Sequence, residues 1–189
     1  MTKIRISGTE FSLGRKAFEI YVQGCFRGCK GCHNPETQPS SGGEEVDIRE
    51  FLREQKKKTD EFGDLVQNIY VTGGDLLCHT RDLVDEFSKG VAETWPDKIR
   101  WLFTGDKYND IRDVVWLYYD IVKCGPYLQH RRLPEGVFPA SDNQELVFNR
   151  FCPCLPPDKR LERLDKLDRI YKEIEFRGAK FWRNGSHGT

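Results

Sequence analysis

Residues 24–36 read GCFRGCKGCHNPE and place Cys25, Cys29 and Cys32 in a C-x3-C-x2-C spacing. Three thiolates on one short loop can bind three irons of a cubane iron–sulfur cluster, because soft sulfur is the ligand that such iron prefers. The fourth iron then lacks a protein thiolate, and an open metal position is typical of a catalytic site because substrate can coordinate there. The stretch therefore predicts a cluster loop around which the rest of the fold is arranged.

The same spacing leaves a second kind of metal site open. Structural zinc sites commonly have four ligands in two paired knuckles. His33 directly follows Cys32 and would have to be the fourth ligand, but adjacent residues rarely reach one tetrahedral ion together. The spacing therefore favours an iron–sulfur cluster over zinc or free thiols.

The composition describes one folded domain without a strong charge of either sign. The chain has 189 residues, which is enough to bury a core. Lys plus Arg and Asp plus Glu both total 30, so no basic field predicts binding to nucleic acid. No apolar run is long enough to span a membrane, and the N-terminus lacks the apolar core of a signal peptide. Seven cysteines, three of them clustered, are typical of a reducing cytoplasm rather than a disulfide framework.

Short apolar runs alternate with amphipathic stretches along the chain. This alternation predicts an α/β fold with a parallel sheet and helical crossovers. The predicted strands are residues 3–7, 18–22, 68–72, 99–103, 119–123 and 144–148, and the predicted helices are residues 46–58, 80–94, 110–118 and 158–176.

Glycine or polar residues follow four of the predicted strands. Because the carboxyl ends of parallel strands meet at one edge of a sheet, we expect these segments to lie close together. They are residues 24–25, 73–75, 104–106 and 124–126.

Residues 29–37, CKGCHNPET, resemble the radical S-adenosylmethionine (SAM) enzymes and, more narrowly, the activating proteins of anaerobic (class III) ribonucleotide reductases. The resemblance covers about residues 1–150 and implies a partial (β/α) barrel of the radical SAM type as a core domain. Residues 151–189 lie outside it and are interpreted as a proline-rich linker and an amphipathic helical extension. Packing of that helix on the core is the favoured interpretation, and docking of a partner is the alternative.

The resemblance also implies which residues bind the cofactors. Cys25, Cys29 and Cys32 would ligate a [4Fe-4S] cluster whose fourth iron is open to SAM. GGD at residues 73–75 resembles the motif that binds the methionine amino group of SAM in this family, although Leu76 stands where proline is usual. From the residues alone, this triplet is equally typical of a turn. The SAM contacts implied by the resemblance are Gly31, His33, Asn34, Gly73, Gly74, Asp75 and Thr104.

Two further segments resemble the family with departures from its pattern. Residues 120–127, DIVKCGPY, resemble its D-x-L-x-D-G-P/K-F segment, with Cys124 in place of the second acid. Residues 141–144, SDNQ, resemble its S-S-N-Q, but a polar loop is the favoured interpretation. The cysteines outside the cluster loop are interpreted as ordinary thiols, with a second metal site as the alternative; they are Cys78, Cys124, Cys152 and Cys154.

The function implied by the resemblance is reductive cleavage of SAM to methionine and a 5′-deoxyadenosyl radical, which abstracts hydrogen from a glycine of the large reductase subunit. The implied partners are that subunit and a one-electron donor such as flavodoxin or ferredoxin. No nucleic acid, no membrane and no catalytic residue beyond the cluster and SAM are expected. Two alternatives stay open: a radical SAM enzyme with another target, either another glycyl-radical activase or a small-molecule modification enzyme, and a non-catalytic zinc-binding adaptor.

Overall fold

The computed structural model describes residues 2–135, 137–150, 155, 157–176 and 181–184. The strands are β1 (Lys3–Ser12), β2 (Ala17–Val22), β3 (Glu44–Asp47), β4 (Asn68–Gly73), β5 (Ile99–Phe103), β6 (Ile121–Cys124), β7 (Glu145–Asn149) and β8 (Phe181–Asn184). The helices are α1 (Ile48–Phe62), α2 (Arg81–Thr94), α3 (Asp113–Tyr118) and α4 (Pro157–Phe176). All eight strands form one open mixed sheet in the order β3-β1-β2-β4-β5-β6-β7-β8.

The central strands β2, β4, β5 and β6 run parallel, and the α/β class is confirmed. The expectation of a wholly parallel sheet is wrong on both sides of this centre. β1 pairs antiparallel with β2 as a hairpin, and β7 pairs antiparallel with β6. Parallel neighbours need a crossover, usually a helix, whereas the described residues between β6 and β7 form turns and one 3-10 helix, so the chain returns antiparallel.

Strand pairing and helix capping explain three places where the observed elements differ from the predicted ones. β1 continues to Ser12, well past the predicted residues 3–7, because it pairs with β2 along that length. β3 was not predicted, since its sequence EEVD is short and acidic; it forms by pairing with the edge of β1. The helix expected from residue 46 begins at Ile48 instead, because Asp47 caps it by accepting a hydrogen bond from the backbone N–H of Glu50 at 3.0 Å.

Two layers of apolar side chains cover the two faces of the sheet. The outer face packs against α1, α2 and α3, with Val84, Phe87 and Val91 of α2 buried at helical spacing. The inner face carries a second cluster to which α4 contributes Leu167. The core of the inner face consists of Ile99, Trp101, Ile121, Leu146, Phe148 and Leu167. α4 thus packs on the sheet, while the domain boundary at residue 150 stays a prediction.

A buried ion-pair network joins α4 to the amino ends of the central strands. The side chain of Arg100 donates to both carboxylate oxygens of Asp120, at 3.1 and 3.2 Å. Arg163 of α4 also donates to Asp120, and to the carbonyl oxygens of Lys98 (2.7 Å) and Pro96. We call Arg100, Asp120 and Arg163 the amino-edge network. Among the described residues, every helix is too short or too polar to cross a membrane.

Candidate functional site

The cluster loop, residues 24–34, leaves β2 at the carboxyl edge of the parallel strands, where the sequence predicts it. The backbone N–H of Gly24 donates to the carbonyl of Thr37 at 2.8 Å, and that of Cys25 donates to Gln38 at 3.0 Å. Gly24 and Gly28 have φ angles of +102° and +61°, which favour glycine. The loop therefore folds back on itself at the edge of the sheet.

The three predicted ligands lie on this loop as half-buried free thiols. The backbone N–H of Cys32 donates to the carbonyl of Cys29 at 3.2 Å, so the C-x2-C segment forms a turn. Within the described part of the chain, no three His, Cys, Asp or Glu side chains converge on one ion-binding point. Even so, the donor chemistry fits an iron–sulfur cluster, because three thiols share one glycine-containing loop.

Cys78 is a neighbour of the loop that the sequence left unassigned. Its thiol forms a hydrogen bond with that of Cys25, which lowers the pKa of Cys25 to about 6 and raises the pKa of Cys78. The signal available in the sequence was its position, three residues after Asp75 at a strand end of the same edge. Cys124 is different, since it is buried and its burial raises its pKa to about 12. Cys152 and Cys154 lie outside the described residues.

Asp75 of the GGD triplet connects several segments at the carboxyl edge. It is 2% exposed, and its Oδ1 accepts a hydrogen bond from the backbone N–H of Leu77 at 3.0 Å. Its Oδ2 accepts from Thr104 Oγ1 at 3.0 Å and from the backbone N–H of Gly105 at 2.8 Å. Arg27 of the cluster loop forms an ion pair with the same oxygen. Both carboxylate oxygens are therefore already hydrogen-bonded within the protein.

Arg27 is a functional residue that the sequence did not single out. Besides Asp75, its guanidinium contacts Asp106 at 2.8 Å, so it joins the cluster loop to the segments that follow β4 and β5. Burial alone would lower the pKa of Arg27. The carboxylates of Asp75 and Asp106 raise it by more, so the pKa of Arg27 is raised. We call Arg27, Asp75 and Asp106 the carboxyl-edge network.

The two glycines of the GGD triplet are required by close backbone approach. A Cβ on Gly74 would lie 2.6 Å from the carbonyl oxygen of Gly24. A Cβ on Gly73, whose φ is +93°, would lie 2.8 Å from Cα of Tyr21. The strand ends of β2 and β4 thus pack so tightly that a side chain at either position would separate them.

The remaining predicted SAM contacts lie on or beside the cluster loop. The ring of His33 contacts that of Tyr127, with centroids 5.2 Å apart. The carbonyl of Asn34 accepts hydrogen bonds from Thr37, and Gly31 faces the side chain of Gln129. A cavity of about 570 Å³, within the usual range for small-molecule sites, lies between residues 27–30 of the loop and residues 126–130 after β6.

Lys123, near the end of β6, is a second residue that the sequence did not single out. Its half-buried side chain lies close enough to Asp75, Cys29 and Cys32 to interact with their charges. Burial lowers the pKa of Lys123 to about 8, while Asp75 and the thiols oppose that shift. The cluster loop is therefore accompanied by a lysine ammonium in addition to Arg27.

Comparisons with known proteins place the chain in an iron–sulfur family. The family model described as "4Fe-4S single cluster domain" matches residues 14–147. The chain is 30% identical over 136 residues to the anaerobic ribonucleoside-triphosphate reductase-activating protein of Enterobacteria phage T4, covering 69% of this chain and 82% of that one. It is 27% identical over 139 residues to the protein of the same name from Haemophilus influenzae, covering 70% and 86%. The crystal structure of QueE from Escherichia coli aligns over 97% of this chain and 95% of its own at 10% identity, with a TM-score of 0.40 that is too low to define the fold.

Proposed function

The chain belongs to the 4Fe-4S single cluster domain family and, within it, to the anaerobic ribonucleoside-triphosphate reductase-activating proteins, and we propose that it is a radical SAM activase. It cleaves SAM reductively at a [4Fe-4S] cluster and generates a glycyl radical on an anaerobic ribonucleoside-triphosphate reductase. The observation that carries this proposal is the loop of three thiols at the carboxyl edge of the sheet, beside a cavity of about 570 Å³.

Cys25, Cys29 and Cys32 are the proposed cluster ligands. The bound cluster supplies the electron for cleavage of SAM into methionine and the 5′-deoxyadenosyl radical that takes hydrogen from the glycine. The chain supplies binding and orientation. Its loop glycines allow the backbone to approach the cofactors, and its carboxyl-edge network ties the loop to two strand ends.

SAM is proposed to bind between the loop and the GGD turn. Because both oxygens of Asp75 already accept hydrogen bonds, this turn would offer SAM the backbone groups of residues 73–75 rather than the carboxylate. Thr104, which follows β5 and donates a hydrogen bond to Asp75, is proposed to contact SAM from this side, and Gly31, His33 and Asn34 are proposed to contact it from the loop side. The support for this arrangement is the closeness of the loop to the turn, where the backbone N–H of Asp75 donates to the carbonyl of Gly24 at 3.1 Å; the cavity of about 570 Å³ lies on the other side of the loop, against residues 126–130.

The overall architecture follows from the same proposal. The open sheet would be the partial (β/α) barrel of the radical SAM type, with residues 1–150 as the core domain and residues 151–189 as its extension. The proposed partners are the large subunit of the reductase and a one-electron donor such as flavodoxin or ferredoxin. The proposed compartment is the cytoplasm, where cysteine thiols stay reduced.

The test is anaerobic reconstitution with iron and sulfide, followed by reduction with dithionite in the presence of SAM. We expect 5′-deoxyadenosine to form and a glycyl-radical doublet to appear in the EPR spectrum when the reductase subunit is added. The Cys29→Ser variant should lose the cluster and both signals. Deoxyadenosine without the doublet would favour a radical SAM enzyme with another target, whereas a colourless protein that binds zinc would favour an adaptor.

A further inference from the structure

Lys123 lies on the inner face of the sheet, close to the carboxyl end of β6. Lys123 pairs with Phe103 of β5 and with Leu146 of β7, both of which contribute to the inner-face cluster. Side chains alternate along a strand, so Lys123 shares the face of Ile121, while Val122 packs on the outer face. It stands one residue before the end of β6. Its ammonium therefore lies at the end of the sheet that carries the cluster loop.

The ammonium of Lys123 has an unusual position for a lysine. Across the described residues it forms no hydrogen bond and no ion pair. Withdrawing an ammonium from water is costly unless an anion accompanies it. Asp75 is one nearby anion, but Arg27 already pairs with it. The charges left for Lys123 to balance are those of Cys29 and Cys32 once these bind metal as thiolates.

The charge balance at the carboxyl edge also favours a cation beside the cluster. The carboxyl-edge network has two carboxylates and one guanidinium, which leaves it with excess negative charge. Adding an electron to a cluster beside that network adds further negative charge, and a cation in a partly buried site offsets it more effectively than one in water. Charge, hydrogen bonding and solvent exposure around a cluster are known to set its reduction potential.

We propose that Lys123 is the electrostatic partner of the reduced cluster, and that its ammonium raises the cluster's reduction potential. This inference rests on the proposed function, because it presupposes a cluster on Cys25, Cys29 and Cys32. Lys123 makes the one-electron reduction that precedes SAM cleavage more favourable.

The test is a redox titration of the reconstituted cluster, followed by the EPR signal of the reduced form. Lys123→Met removes the charge and keeps an unbranched side chain, and Lys123→Arg keeps the charge. At a fixed solution potential, we expect Lys123→Met to lower the reduced-to-oxidised ratio about tenfold, equivalent to about 59 mV for a one-electron couple. Lys123→Arg should keep most of the parent's reduction potential. Lys107→Met, which removes an exposed lysine near the same edge, should leave the potential unchanged.

Two further measurements separate this role from a structural one. The thermal midpoint of the cluster-free protein should be equal or higher in Lys123→Met, because an ammonium without a partner is removed. Iron and sulfide per chain should equal those of the parent. The proposal is overturned if a fully loaded Lys123→Met variant keeps the parent potential, if Lys123→Arg shifts as far as Lys123→Met, or if Lys123→Met folds without binding iron. A parent protein that binds no cluster would instead overturn the proposed function, and this inference with it.

Discussion

The two ends of the parallel strands carry ion-pair networks of opposite composition. At the carboxyl edge one arginine, Arg27, is shared by two aspartates, whereas at the amino edge one aspartate, Asp120, is shared by two arginines. Counted over the three named residues of each, the first network has an excess of negative charge and the second an excess of positive charge. The first joins loops, and the second joins two strand ends to α4.

The difference in burial indicates different roles. The side chains of Arg100 and Asp120 are 1% and 0% exposed, while those of Arg27 and Asp106 are 19% and 21% exposed. A fully buried network holds secondary-structure elements in one arrangement. A network that water reaches can adjust when a loop binds its ligands, and loops held by a rigid scaffold are where binding residues concentrate. We therefore expect mutations at the amino edge to change stability and those at the carboxyl edge to change cofactor binding.

The largest effect is expected from Asp120→Asn at the amino edge. The substitution removes the carboxylate that the buried Arg100 and Arg163 share. Breaking such a network costs about 3–5 kcal/mol of the free energy of unfolding. Equilibrium unfolding in urea measures the loss. The matched control is Asp168→Asn, whose ion pair with Arg150 is 41% exposed on the aspartate side and worth about 1 kcal/mol or less. Equal losses in the two variants would refute the assignment of the amino edge as the structural network.

Arg27→Met at the carboxyl edge should destabilise the fold less. Asp75 keeps its bonds from Leu77, Thr104 and Gly105, so we expect a loss of about 2–3 kcal/mol rather than the full cost of an unpaired buried charge. The cluster loop, however, loses its ion pairs with Asp75 and Asp106, the side-chain links to the segments that follow β4 and β5.

The second readout for Arg27→Met is the affinity of the loop for its cluster. Removing a group that holds ligands in place typically weakens metal affinity by about 10–100-fold. Competition with an iron chelator measures how firmly each variant binds its iron. Lys30→Met removes an exposed charge from the same loop and serves as the control. If both variants hold iron as firmly as the parent, the carboxyl-edge network does not organise the loop.

Arg163→Met tests the comparison further by removing one of the two arginines of the amino-edge network. The ion pair between Asp120 and Arg100 remains, and the main loss is the hydrogen bonding to the carbonyls of Lys98 and Pro96. We expect about 1–2 kcal/mol of destabilisation in urea unfolding. Iron and sulfide content should equal those of the parent, and a drop in either would show that α4 affects the cluster loop.

The central strands and the cluster loop were predictable from the sequence because local signals define them. The predicted strand at residues 99–103 coincides with β5, and that at residues 18–22 lacks one residue of β2. In both cases an apolar run is bounded by turn-forming or charged residues, which is a signal that needs no knowledge of distant contacts. The three cysteines were recognised for the same reason, since their spacing lies within one segment.

The two ion-pair networks were not predictable because their members are distant in sequence and are brought together only by the order and register of the strands. Arg27 lies 48 residues from Asp75, and Asp120 lies 43 residues from Arg163. Before the strand order is known, any acidic residue is an equally good partner for Arg27. The triplet predicts a SAM contact at Asp75, which stays a prediction, but it does not indicate the internal hydrogen bonds that the Asp75 carboxylate accepts. Cys78 was missed because its neighbour Cys25 comes from another strand end.

The smallest expected effect is a pH dependence at the carboxyl edge. His79, after β4, lies with Nε2 3.0 Å from the carbonyl oxygen of Gln23, and burial lowers its pKa. Because the folded-state pKa is below the unfolded one, the unfolded chain takes up the proton first, so the stability contributed above about pH 6.5 is lost as the pH falls below that value. Between pH 7 and 5, the free energy of unfolding should therefore decline less steeply in His79→Gln than in the parent. His130→Gln, which removes an exposed imidazole, is the control, and parallel pH profiles for His79→Gln and the parent would contradict the assignment.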